Sequence, residues 1–180
     1  MALRYAFLLC ASTMRVLGID PGLRLTGYGC VESAPGAGRG RRHAGGPDAV
    51  LVEGGVIRLN AKTTVSARLA ELDADLQEII ERLRPDVVAV EKLYAHYKHP
   101  TTAIVMGHAR GIVLLEIQRA GLRLVELGAT EVKKSLTGNG HASKEQMQRG
   151  VAAQLGLRVV PKPADVADAI AIGLCGLRRG

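Results

Sequence analysis

The sequence predicts an α/β domain: a mixed five-stranded sheet with helices on both faces. Two patterns and the composition carry that expectation. Val87-Val88-Ala89-Val90 is a continuous apolar run without polar alternation, the mark of a central strand buried on both sides. Helical and strand-like patterns alternate around it, and a strand–helix–strand crossover requires helices packed on the sheet. The 180 residues are 47% hydrophobic and 23% charged, enough for one domain with a substantial core. Aromatic residues are only 3%, so that core must be built from Val, Ile, Leu and Ala.

In chain order, Arg15–Asp20 is a short apolar strand closed by the turn Asp20-Pro21-Gly22. Thr26–Glu32 mixes β-formers with glycine and reads as a second strand. Ser33–Asp48 carries five Gly, two Pro and three Arg and cannot bury apolar surface, so a flexible loop is expected. Ala49–Leu59 is a third strand, interrupted at Gly54-Gly55, and forms a hairpin with the second. Between Thr63 and Arg84 the apolar residues Val65, Leu69, Leu72, Leu76, Ile79 and Leu83 recur in steps of four and three, one face of a helix. Pro85-Asp86 ends it, and the buried strand follows with Glu91 at its C-terminal end. A second helix is expected over Thr102–Ala120, a fifth strand over Leu122–Leu127, and a short helix over Thr130–Leu136. Another helix starts at Ser143, with Gln146 at capping-box spacing. Pro161 and Pro163 precede the last helix, Ala164 to about Leu177.

The domain is expected over residues 15–178, with residues 1–14 as a non-structural extension upstream of a second possible start at Met14. The apolar stretch Ala6–Ala11 is shorter than a secretory signal requires. No apolar run approaches the ~18 residues of a membrane-spanning helix, which argues against an integral membrane protein. Cys10, Cys30 and Cys175 are scattered and include no CxxC pair, so neither a disulfide scaffold nor a zinc knuckle is expected, and a reducing cytoplasm suits the chain. His96 and His99 have no further Cys or His close by to complete a zinc site. A formal charge of +7 favours an anionic partner, nucleic acid being the commonest.

Acids at element ends are the most informative feature. Asp20 closes the first strand and Glu91 the fourth; Asp165 and Asp168 stand one turn apart on the last helix and share a face. Each also suits a plainer role: Asp20 as a turn residue before Pro-Gly, and Asp165 and Asp168 as partners of a helix N-terminus. If strands one and four are neighbours, however, Asp20 and Glu91 emerge at one sheet end and the last helix can bring its pair against them. Carboxylates so placed resist joint ionisation unless cations neutralise them, and hard, oxygen-seeking Mg²⁺ or Mn²⁺ fit best. Two such ions suit phosphodiester displacement.

Five motifs in order resemble the RuvC crossover-junction endodeoxyribonucleases. They are Gly18-Ile19-Asp20-Pro21-Gly22 with Thr26-Gly27-Tyr28-Gly29; Val90-Glu91-Lys92-Leu93-Tyr94; Met106-Gly107-His108-Ala109-Arg110-Gly111; Thr137-Gly138-Asn139-Gly140 with Ala142 and Lys144; and Ala164-Asp165-Val166-Ala167-Asp168-Ala169. The resemblance spans Arg15 to about Cys175. It implies an RNase H-like fold, a homodimer, and Mg²⁺- or Mn²⁺-dependent resolution of four-way (Holliday) junction DNA by paired nicks. By position, Asp20, Glu91, Asp165 and Asp168 would be the catalytic metal ligands, holding two ions per site. Tyr94, Lys133, Lys144 and Arg110 would contact DNA, and a branch-migration helicase would be a partner on the resemblance alone.

Other functions fit less well. An actin-like or sugar-kinase-like ATPase shares the strand followed by GID-x-G, but needs a second phosphate turn and a longer chain. A catalytically silent junction binder would be signalled by loss of an acid, and all four are present. An RNase H-like nuclease with another substrate stays open, because such a site does not itself choose the nucleic acid. Arg39, Arg41 and Arg42 could touch phosphates, but a charged loop is usually only solvated. The apolar surplus of the second helix (Ile104, Val105, Ile112, Leu115) reads as a dimer face.

Overall fold

The computed structural model describes residues 13–34, 48–93 and 100–179. Residues 1–12 of the expected N-terminal extension, most of the Gly/Arg loop, and Tyr94, His96 and His99 lie outside the described residues. Met14, expected in the extension, instead belongs to the domain, its N–H donating to the Ser33 hydroxyl (2.9 Å) and its side chain packing on the core. Five strands, β1 (Arg15–Asp20), β2 (Leu25–Ser33), β3 (Ala49–Arg58), β4 (Val87–Glu91) and β5 (Arg123–Leu127), form one sheet in the order β3-β2-β1-β4-β5. β1, β2 and β3 pair antiparallel, while β1–β4 and β4–β5 pair parallel, so the sheet is mixed as expected.

Helices α1 (Val65–Leu83) and α2 (Pro100–Arg119) cover one face; α3 (Ala129–Thr137), α4 (Lys144–Leu155) and α5 (Ala164–Arg179) cover the other. Side-chain alternation along the strands sorts the core into two halves. Leu17, Ile19, Val88 and Val90 pack with Leu72, Leu76, Ile79 and Leu83 of α1 and with Ala109, Val113 and Ile117 of α2. Val16, Val87 and Ala89 pack with α3, α4 and α5.

Local chemistry explains the boundaries. The Thr64 hydroxyl accepts from Ala67 N–H and starts α1, which ends where Arg84 turns into the left-handed region (φ 46°) ahead of Pro85. At α4 the expected capping box is present: the Ser143 hydroxyl accepts from Gln146 N–H (3.3 Å), and Gln146 Oε1 accepts from Ser143 N–H (2.8 Å). The expected break at Gly54-Gly55 does not occur. β3 runs through both glycines, and the register slips one step earlier, where Cys30 pairs with Glu53 but Val31 with Leu51. The glycines stay in the strand because neighbours occupy the space of a side chain. A Cβ at residue 54 would lie 3.1 Å from Ile170 Cδ1, and one at residue 55 would lie 2.6 Å from the Tyr28 hydroxyl oxygen.

Candidate active site

β1 and β4 are parallel neighbours with Ile19 opposite Val90, so Asp20 and Glu91 end adjacent strands at the same edge. Alternation then decides which way they turn. Val16, Gly18 and Asp20 share one side of β1, and Val87, Ala89 and Glu91 the same side of β4, which is the side that α5 covers. The turn after Asp20 is fastened by Thr26. This fully buried threonine donates from its hydroxyl to the Gly22 carbonyl (2.7 Å) and accepts from Gly22 N–H (3.1 Å).

α5 reaches the two strand ends because its backbone lies on glycines. A Cβ at residue 18 would stand 2.1 Å from the Ala169 carbonyl oxygen and 2.3 Å from Gly173 N; one at residue 27 would stand 2.2 Å from the Asp165 carbonyl oxygen. No side chain fits in those gaps. These strand glycines, expected only as members of the first motif, set the height of Asp165 and Asp168 above the sheet.

A cavity of about 260 Å³ opens at this edge, lined by Asp20, Glu91 and Asp168 with Lys133 of α3 and Lys144 of α4. Ala129, Val132, Ala142 and Met147 form its apolar wall. Asp165 does not line the cavity, yet its charge bears on Asp20 and Asp168. Burial, and then the charges of Asp168, Glu91 and Asp165, push the Asp20 carboxyl up to about 7 against the pull of Lys144. Glu91 is raised by burial and then by Asp168, with Lys133 opposing. Asp168 is raised by burial; Lys144 draws it back down, Asp165 pushes it up and Lys133 lowers it. The charge of Lys144 thus bears on Asp20 and Asp168, and that of Lys133 on Glu91 and Asp168.

Among the described residues, no group of three or more Asp, Glu, His or Cys side chains stands close enough together to hold a metal ion as placed. The acids act on one another through their charges instead. Their donor set is all oxygen and its charges repel one another, which fits a hard divalent cation and no soft one.

The remaining candidates lie apart. Arg110 of α2 is not among the cavity-lining residues; it forms an ion pair with Glu126 of β5, and its Nε is buried without a partner. This pairing was invisible in the sequence, where Arg110 sits in a helix motif and Glu126 in the expected fifth strand. Of the apolar surplus on α2, Val105 and Ile112 pack against the α1–α2 core, while Ile104 and Leu115 remain exposed. Ile104, His108, Gly111 and Leu115 make one exposed stripe at i, i+4, i+7 and i+11.

Comparison with known proteins finds similarity over most of the chain. Among curated relatives, a Crossover junction endodeoxyribonuclease RuvC of Rhodopirellula baltica is 45% identical over 161 residues, covering 89% of this chain and 84% of its own. Its counterpart in Caldicellulosiruptor saccharolyticus is 42% identical, covering 90% and 91%. Among solved structures, T. thermophilus RuvC in complex with Holliday junction substrate superposes with a TM-score of 0.79 at 34% identity, over 93% of this chain and 96% of that one. The yeast mitochondrial Holliday junction resolvase Ydc2, at 17% identity and a TM-score of 0.63, shares the fold over 92% of this chain and 78% of its own. The family model described as Crossover junction endodeoxyribonuclease RuvC matches residues 16–176, which takes in both strand-end acids, both lysines and the paired aspartates of α5, and the chain belongs to that family.

Proposed function

We propose that this chain is a metal-dependent, structure-selective endonuclease that resolves four-way DNA junctions by paired symmetric nicks. The observation that carries the proposal is the convergence of acids from β1, β4 and α5 on one cavity flanked by two lysines. It occurs in a chain similar throughout to a RuvC solved with a Holliday junction substrate.

Asp20, Glu91, Asp165 and Asp168 are the residues to hold Mg²⁺ or Mn²⁺, two ions per site. When bound, such ions supply charge stabilisation for the attacking and leaving oxygens of a phosphodiester. The protein groups do the rest. Lys133 and Lys144 offset the charge of an incoming phosphate where the carboxylates would otherwise repel it. Tyr94, at the end of the acid-plus-aromatic motif, stacks on an unpaired base. Arg110 of α2, whose charge is paired with Glu126, would reach DNA only by giving up that pair. Paired nicks require two such sites, and the exposed stripe of Ile104 and Leu115 on α2 supports a homodimer. A branch-migration helicase as partner rests on the family resemblance alone. Among the described residues no helix is long and apolar enough to cross a membrane, and cytoplasmic action on DNA is the setting this proposal assumes.

Cleavage of a labelled four-way junction beside matched linear duplex and RNA–DNA hybrid, with Mg²⁺, Mn²⁺ or EDTA, tests the proposal. Symmetric nicks in the junction alone, lost in EDTA, are expected. Asp20→Asn is expected to slow cutting by about 10³-fold or more while leaving junction binding intact, since it removes ligand charge without removing basic contacts. Cutting of hybrid or duplex in preference would overturn the substrate, and tight binding without cutting would overturn the enzyme.

A further inference from the structure

Lys133 and Lys144 reach the same cavity from different helices, so something must hold α3 and α4 at a set span. The connection between them is short and braced by side chains. The Thr137 hydroxyl, at the end of α3, donates to the Lys133 carbonyl (2.8 Å) and accepts from Asn139 N–H (3.1 Å). It also stands 3.0 Å from the Asn139 carbonyl, a second acceptor for its one proton. That carbonyl accepts from Ala142 N–H (3.2 Å), and the Asn139 side-chain oxygen accepts from His141 N–H (2.9 Å). Ala142 itself lines the cavity, and Ser143 then caps α4, of which Lys144 is the first residue. Bonds therefore run from the backbone of Lys133 through Thr137 and Asn139 to the residues that start α4.

The packing adds an independent constraint. Gly150 of α4 faces the end of α3 so closely that a Cβ there would lie 3.1 Å from Leu136 Cγ and 3.5 Å from the Thr137 methyl. Thr137 thus has two separable contacts: its methyl lies against α4, while its hydroxyl ties the α3–α4 turn. Valine would keep the first and lose the second; serine would do the reverse.

We propose that Thr137 is a positioning residue for strand cleavage, its hydroxyl fixing the span between Lys133 and Lys144 so that both ammonium groups face the acid cavity together. The inference rests on the nuclease function proposed above and deepens it. Loss of one positioning hydrogen bond is expected to act on the rate through a small displacement of the lysines, to which catalytic steps are sensitive.

The test is a double-mutant cycle in the full-length chain, reading single-turnover junction cleavage in Mg²⁺, junction affinity in EDTA, and melting temperature. Thr137→Val is expected to cut about tenfold more slowly with junction affinity within about twofold of the parent chain. Thr137→Ser is expected to restore the rate even where its melting temperature falls, because it keeps the hydroxyl and loses the methyl. In a Lys133→Ala background, Thr137→Val is expected to add less loss than it causes in the parent chain, because only Lys144 is left for it to position. A full, independent loss in that background, or a rate that follows melting temperature across Val and Ser, would overturn the inference. If Lys133→Ala and Lys144→Ala both cut at the parent rate, the lysine roles proposed above fail and this inference falls with them. If those two are slow and Thr137→Val is not, this inference alone falls.

Discussion

The two faces of the sheet are packed by different means. On the α1–α2 face, large side chains meet large side chains: Leu17, Ile19, Val88 and Val90 against Leu72, Leu76 and Ile79, all buried. On the α5 face, backbone meets backbone. Gly18, Gly27 and Gly29 lie under α5, and Gly173 of the helix comes back so close that a Cβ on it would lie 3.0 Å from the Gly29 carbonyl oxygen. Interdigitated side chains relax around a change, whereas a helix resting on strand backbone has nothing to move but itself. Asp20 and Glu91 turn toward the second face, and Asp165 and Asp168 ride on the helix that covers it. The part of the fold that carries the chemistry is therefore the part with the least room for adjustment.

The largest expected effect follows from adding a single methyl group on that face. Gly18→Ala would place its Cβ 2.1 Å from the Ala169 carbonyl oxygen, so α5 must lift away from β1. Overpacking of this kind costs about 1–3 kcal/mol or more, and here it also moves Asp168, one residue before the contact. Junction cleavage is expected to fall far more than the loss of folded protein accounts for, measured as rate per folded molecule well below the melting temperature. Gly27→Ala is expected to behave alike through the Asp165 carbonyl. Full activity in a folded Gly18→Ala chain would show that the close approach of α5 is not what sets the acids.

The opposite face should show the reverse pattern. Leu76 of α1 is fully buried, and Leu76→Ala is expected to lower stability by about 2–5 kcal/mol in denaturant melts. The cleavage rate of the fraction that remains folded should barely change, because α1 contributes nothing to the acid cavity. Equal losses of rate per folded molecule from Leu76→Ala and Gly18→Ala would erase the distinction between the faces.

The sequence showed the ends of this arrangement better than its middle. Strand β1, the steps of Leu72, Leu76, Ile79 and Leu83, and the Ser143 cap were legible because each depends on neighbours a few residues away. The acids were legible because they interrupt or end apolar runs. The side to which Asp20 and Glu91 turn could have been read from alternation with Val16 and Val87, and Gly18, Gly27 and Gly29 were a signal of close helix approach in strands where glycine is otherwise unfavourable. By contrast, which acids the charges of Lys133 and Lys144 bear on and the pairing of Arg110 with Glu126 depend on how α3, α4 and α2 dock, which no local pattern encodes.

The smallest expected effect is electrostatic and sharpens the comparison from the side of the acids themselves. Asp20 is held up to about 7 in the folded protein, chiefly by burial and then by Asp168, Glu91 and Asp165. In the unfolded chain it titrates in the ordinary carboxylate range, near 4. Between those values the folded state binds the extra proton, so stability must fall as pH rises from about 4 to about 7 and level off above. In EDTA the melting temperature of the parent chain is expected to decline across that window more steeply than that of Asp20→Asn, whose side chain has no proton to lose. Mg²⁺ should oppose the decline most above pH 7, where all four carboxylates compete for neutralising charge. A melting temperature with the same pH slope in both chains would mean that neither burial nor the neighbouring acids hold the Asp20 carboxyl above its ordinary range in the folded protein. An added divalent ion with no stabilising effect above pH 7 would sever the link between their mutual repulsion and metal binding.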